Sequence, residues 1–130
     1  NHRAVIDHTL YWATTSSPEE ALYLCAILNA PHLTKLARPL MSYGKDERHI
    51  DKHLWKLPIP EYDPDDAVHR ELAVLGSKAE TSVGTLALPK SHFATQRRRI
   101  REHLQESHVG AALDSAVERL LQTEGACRKQ

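Results

Sequence analysis

The side chains best suited to chemistry in this sequence gather around Gly44, where Tyr43, Lys45, Arg48 and His49 share one short stretch. Cations reach phosphate oxygens or the guanine edge, and an aromatic ring stacks on a base, so the set suits contact with nucleic acid. Ser42 to Arg48 reads as a loop, with Gly44 free to adopt positive φ. Loops held on a rigid scaffold commonly carry recognition, although a charged loop is more often a solvated connector. Arg97, Arg98, Arg99 and Arg101 make a second basic run. It suits phosphate contact, and equally the outer face of a helix.

Other chemistries find less support. His49 and His53 stand four apart, a spacing that fits a metal pair on one helical face. No Glu follows His49 and no third ligand accompanies the pair, so two surface histidines are the simpler account. Asp7-His8 and the Asp51 and His53 pair place carboxylates beside imidazoles but lack a nucleophile or further partner. The glycine-rich nucleotide loops G-x-G-x-x-G and G-x-x-x-x-G-K-[ST] are missing, as is the G-x-S-x-G elbow. No catalytic, cofactor-binding or metal-ligating residue is therefore assigned, which argues against a self-contained enzyme.

The chain has 130 residues, enough for one domain with a modest core. It opens on Asn1 rather than Met, and we expect a piece of a longer protein. Seventeen basic residues balance seventeen acidic ones, which disfavours a wholesale polyanion binder. Residues 61–66 are acidic and 97–101 basic, so the balance is global rather than local. No apolar run approaches the roughly 20 residues that span a bilayer, and no signal segment is present. Cys25 and Cys127 lie far apart outside any C-x-x-C pattern. Cys25 reads as a buried thiol, and a reduced, cytoplasmic setting is expected.

Several elements must position these groups. Residues 4–13 are rich in β-branched and aromatic types and predict a strand. Ser17-Pro18-Glu19-Glu20 is a helix start with a cap, a first-turn proline and capping-box spacing. Ala21, Leu24, Cys25 and Leu28 follow at helical spacing, widened by Leu22 and Ile27. Pro31 breaks this helix, and a second runs from Pro31 toward Leu36 or Arg38, where Pro39 ends or kinks it. Ile50 to Trp55 suggests a further helical turn. Lys56-Leu57-Pro58-Ile59-Pro60 predicts an extended edge segment. Asp63-Pro64-Asp65-Asp66 starts another helix, with Asp capping and Pro in the first position. Val68, Leu72, Leu75, Ala79 and Val83 form its apolar edge. Phe93, Ile100 and Leu104 mark one face of the next helix, and Ser107 to Gly110 reads as a turn. Ala112, Leu113, Ala116, Val117, Leu120 and Leu121 mark the last helix. The expected fold class is α+β and predominantly helical. It has short strands near 4–13 and 55–60, four to five helices, and two halves at 1–62 and 63–125.

The order of these parts carries a resemblance. Leu10-Tyr11-Trp12 precedes Glu20-Ala21-Leu22-Tyr23-Leu24-Cys25-Ala26-Ile27-Leu28-Asn29-Ala30-Pro31. Then come the Gly44 loop, Arg48-His49-Ile50 and Leu57-Pro58-Ile59-Pro60. Together they resemble the C-terminal target-recognition region of adenine-N6 DNA methyltransferases of restriction and phage-defence systems, closest to the TaqI-like specificity domain. Ala30 stands where that family more often has Ser. Residues 91–122 resemble the helical tail of its larger members less specifically. The resemblance implies double-stranded DNA as partner, with Tyr43, Lys45, Arg48 and His49 as groove or backbone contacts. Lys35 and Arg97, Arg98, Arg99 and Arg101 become secondary phosphate contacts. The family's S-adenosylmethionine loop and Asn-Pro-Pro-Tyr motif are missing here, so the cofactor and the methyltransferase domain are expected upstream in the parent protein. The rival reading is a helical interaction module that docks a partner or another domain. It expects the apolar face from Leu113 to Leu121 to stay partly exposed.

Overall fold

The computed structural model describes residues 14–40, 57–90 and 92–127. The predicted strand at 4–13, the Gly44 loop and the turn from Ile50 to Trp55 lie outside them. Five helices run through the described residues: α1 (Pro18–Asn29), α2 (Pro31–Ala37), α3 (Ala67–Gly84), α4 (Phe93–Glu106) and α5 (His108–Cys127). A 3₁₀ turn, Arg38–Leu40, extends α2 through Pro39. No strand occurs among the described residues, so the helical part of the expected fold class holds and the strand near 55–60 does not. Its prolines explain why. Pro58 and Pro60 have no N–H to donate to a ladder, and the Ile59 N–H between them turns back to the Leu57 carbonyl at 2.9 Å.

The start of α1 follows the sequence closely. Ser17 Oγ accepts the Glu20 N–H at 3.0 Å, and Pro18 occupies the first turn, where its missing donor costs nothing. The reciprocal half of the capping box is displaced by one residue. Glu20 accepts from the Ser16 hydroxyl at 2.7 Å and the Ser16 N–H at 2.5 Å. These bonds, the hydroxyl's first, hold the Glu20 carboxyl below its ordinary range.

Two boundaries move. Helix α3 is capped by Asp66, three residues beyond the expected Asp63, because Pro64-Asp65 forms a turn first. Asp66 Oδ1 accepts the Val68 and His69 N–H groups at 2.7 and 3.1 Å. The expected turn at Ser107 to Gly110 shrinks to Ser107 alone. Its hydroxyl donates to the Leu104 carbonyl at 2.8 Å and accepts the Gly110 N–H at 3.0 Å, ending α4 and starting α5 together.

One core joins the helices. Tyr23, Ala26 and Ile27 of α1 meet Leu33 of α2, Leu72, Ala73 and Ala79 of α3, and Leu113 to Leu121 of α5. Leu113, Ala116, Val117, Leu120 and Leu121 are all buried, so the exposed α5 face expected by the interaction-module reading does not exist. Helix α4 contributes no buried residue, and Phe93 is 67% exposed. Helices α1 and α3 approach closely at Gly76, where an added Cβ would stand 2.6 Å from the Leu22 carbonyl oxygen. Gly76 is therefore a packing residue, although glycine lowers helix propensity.

The Tyr62 side of the molecule fastens the proline segment. Tyr23 is fully buried and its hydroxyl donates to the Pro60 carbonyl at 3.0 Å. Its ring lies 4.8 Å from that of His69 and 5.4 Å from that of Tyr62. His69, the buried polar residue of the described core, accepts the Asp63 N–H on Nδ1 at 2.9 Å.

Two outcomes follow for stability in urea. Gly76→Ala forces α1 off α3 and is expected to cost about 1–3 kcal/mol. Gly84→Ala meets nothing within 4 Å and should stabilise by up to about 1 kcal/mol; equal effects at both positions would remove the packing role of Gly76. Asp66→Ala should cost about 1 kcal/mol at neutral pH. The His69 N–H, followed by that of Val68, lowers the Asp66 pKa on folding. The cap is therefore complete above the unfolded-state value of about 3.9 and is lost as pH falls below it through the folded value. Unfolding of both proteins at neutral and strongly acidic pH checks this, since a deficit that persists in acid cannot come from the carboxylate.

Candidate functional site

Helix α1 is apolar on two sides, which made its buried face ambiguous in sequence. The residues that enter the core are Tyr23, Ala26, Ile27 and Ala30. Of the residues expected to do so, Ile27 does; Leu22 and Leu24 are half-buried, while Ala21, Cys25 and Leu28 are exposed. Both series recur at helical spacing. Tyr23 favours the first, because its ring meets His69 of α3 and Tyr62 and its hydroxyl meets the Pro60 carbonyl.

The rejected face borders a cleft of about 870 Å³ between α1, α2, α3, α4 and the start of α5. Ala21, Leu22 and Cys25 form one wall. Ala79 and Val83 of α3, with Ile100 and Leu104 of α4 and Leu113 of α5, complete an apolar floor. Charged residues border it: Lys35, Arg38, Arg98 and Arg101, with Glu80 and Glu102, all exposed. Arg98 Nε lies 3.6 Å from Glu102, a surface pair on one helix turn worth little in water.

Three of the cations nominated from sequence, Lys35, Arg98 and Arg101, thus share one cleft although more than sixty positions separate the first from the others in the chain. Arg97 is drawn back over the Phe93 ring, its guanidinium carbon 5.6 Å from the centroid, and Arg99 is exposed without lining the cleft. Tyr43, Lys45, Arg48 and His49 lie outside the described residues. Arg38 and Cys25 are members that sequence reasoning missed. Arg38 was recoverable, since it follows Lys35 by three residues at a helix end and so shares its side. Cys25 was hidden by the ambiguous phase of α1.

The position of Lys35 and Arg38 depends on α5. The residue before α2, Ala30, has no side-chain oxygen to cap it. Asp114 takes over from across the core, its Oδ1 accepting the His32 N–H at 2.6 Å. A carboxylate at the positive end of a helix is favourable both as acceptor and as charge. On the far side of the cleft, Ser82 of α3 and His103 Nε2 of α4 are 2.8 Å apart.

This Ser–His contact is the nearest approach to a nucleophile and base among the described residues. A working pair needs a group that orients the imidazole and donors for a developing oxyanion. No carboxylate among the described residues hydrogen-bonds His103, and the pair bridges two helices, so its role is to hold α4 to α3. No group of three or more His, Cys, Asp or Glu suited to a metal ion occurs among the described residues; His49 and His53 lie outside them. Cys25 is a free thiol. None of the described helices is long and apolar enough to cross a membrane.

No protein-family model, curated protein or solved structure matches the chain. The site is accordingly read from its own geometry.

Asp114→Ala removes the long-range cap of α2 and should destabilise the chain by about 1 kcal/mol. A lowered urea midpoint at unchanged slope is the expected readout. An unaltered midpoint would show that α2 does not depend on α5 for its N-terminus.

Proposed function

We propose that the chain is a DNA target-recognition and positioning module of an adenine-N6 DNA methyltransferase. The observation that supports the reading is the meeting of Lys35, Arg98 and Arg101, joined by Arg38, at one cleft. In this reading the four cations contact phosphates and set the register of the duplex, while Tyr43, Lys45, Arg48 and His49 read or grip the site. Phosphate contacts supply affinity and orientation; base-edge contacts supply sequence preference. Methyl transfer belongs to the catalytic domain of the parent protein, where S-adenosylmethionine binds. The balanced charge of the chain makes its intrinsic affinity for DNA low, so the parent enzyme is the proper test object.

A second reading, a helical module that docks a protein surface, draws support from the apolar floor of the same cleft. Phosphates have no use for that floor. It moves the docking surface from α5, whose face is buried, to the α1 side of the molecule.

Two sets of substitutions in the parent enzyme test the DNA reading. Lys35→Ala, Arg98→Ala and Arg101→Ala should weaken DNA binding on every sequence alike. Each should also reduce the slope of log affinity against log salt by about 0.9. Lys45→Ala with Arg48→Ala should instead change site choice or the methylation rate at the cognate site. Salt slopes unchanged in the first set would remove the cleft from DNA binding. Unchanged site choice and rate in the second would remove the loop.

A further inference from the structure

Helix α1 presents apolar residues on two sides, and only one of them enters the core. A helix that is apolar all round is normally covered all round. Here Ala21 and Cys25 are exposed and Leu22 is half-buried along the open side. They face Val83, Ile100 and Leu104, also half-buried, across the cleft. This groove between helices offers an apolar floor that an apolar occupant would cover.

The rim gives that occupant its charge. Four cations and two carboxylates border the groove, and Glu102 is taken up by Arg98. Lys35, Arg38 and Arg101 have no ion pair among the described residues, and Glu80 alone opposes them. An occupant with a basic polar face would meet these three cations at close range. One with an acidic face would neutralise them, and a neutral one would leave them unused.

From the two-sided apolar character of α1 and the unpaired rim, we infer that the cleft is a docking groove for an acidic amphipathic helix of a partner protein. Its apolar face lies on the floor and its carboxylates meet Lys35, Arg38 and Arg101. This is the helix-in-groove mode of recognition, in which anchors at i, i+3, i+4 and i+7 give affinity and flanking charges give selectivity. The inference does not depend on the DNA reading. It accounts for the floor, which phosphate contacts leave unexplained, and it makes the two ligands competitors for Lys35, Arg38 and Arg101.

Cys25 supplies the readout, because its thiol lies in the wall of the groove and is exposed. In the full chain carrying Cys127→Ser, the rate of Cys25 alkylation is followed with and without a designed helical peptide of about 18 residues, long enough to hold some helix in water. Its apolar face is leucine and its remaining positions are mostly glutamate. A peptide of the same composition, scrambled to destroy the apolar face, serves as control. The acidic amphipathic peptide should bind, slow alkylation, and exceed the scrambled peptide in affinity by about tenfold or more. Lys35→Glu with Arg38→Glu and Arg101→Glu, all exposed positions that leave the core intact, should abolish the protection. Three results would overturn the inference: equal binding of both peptides, since the groove then reads charge alone; a Cys25 thiol already unreactive in the free chain, since the groove is then covered; or protection by a DNA duplex and not by the peptide, which gives the groove to nucleic acid. Failure of the peptide leaves the salt slopes and site choice of the methyltransferase untouched, so the two readings fail separately.

Discussion

The architecture depends on the contact between Gly76 and the Leu22 carbonyl. Helices normally pack with their axes about 8–10 Å apart, set by the side chains between them. At this crossing α3 offers no side chain, and Ala26 and Ala73 beside it are small and buried. Helix α1 therefore settles deep against α3. That depth brings Tyr23 to His69 and Tyr62, and it places the Tyr23 hydroxyl at the Pro60 carbonyl. Residues 57–60 have few donors of their own, so an anchored carbonyl at Pro60 does for them what a ladder does for a strand. The same seating leaves the far side of α1 above the cleft.

The sequence made the helices legible and their neighbours less so. Ser17, Pro18 and Glu20 located the start of α1 because a cap is a local contract between residues three apart. The cap moved from Asp63 to Asp66 because an Asp before a proline suits a turn as well as a helix start: Asp63 Oδ1 accepts the Asp65 N–H at 2.8 Å within the turn, and Asp66 caps the helix. The strand expected near 55–60 failed for a reason already present in Pro58 and Pro60: extended conformation is local, whereas a strand needs a partner with free backbone groups. The burial phase of α1 was not legible, since Ala21, Leu24, Cys25 and Leu28 fit the helical period as well as Tyr23, Ala26, Ile27 and Ala30. Tertiary partners break that tie: His69 and Tyr62 at Tyr23, and Gly76 beside Ala26. The capping of α2 by Asp114 was invisible for the same reason, as its two ends lie on different helices.

The basic run was legible as charge but not as a surface. Four arginines within five positions cannot form one patch on a helix, because successive side chains are turned by about 100°. Arg98 and Arg101, three apart, share the cleft side. Arg97 leans toward the N-terminus over Phe93, the direction that helical side chains take. Arg99 is left to solvent. Half of the run is thus a candidate contact and half is a solvated face, so the two explanations that compete at the level of sequence each describe different residues.

A chain of zero formal charge has a groove bordered by four cations and two carboxylates, while several of its other carboxylates have duties elsewhere. Glu20 and Asp66 serve the N-terminal turns of α1 and α3, Asp114 serves that of α2, and Glu71 binds Arg119 through both oxygens at 2.8 Å. Each sits where a helix dipole or a fixed cation favours an anion. Among the described helices α2 alone carries a Lys or Arg in its last turn, Lys35, with Arg38 just past it, and both border the groove. Any anionic ligand of this chain, whether a duplex or a helix, would meet Lys35 and Arg38 at the closed end of α2 and Arg98 and Arg101 on one side of α4.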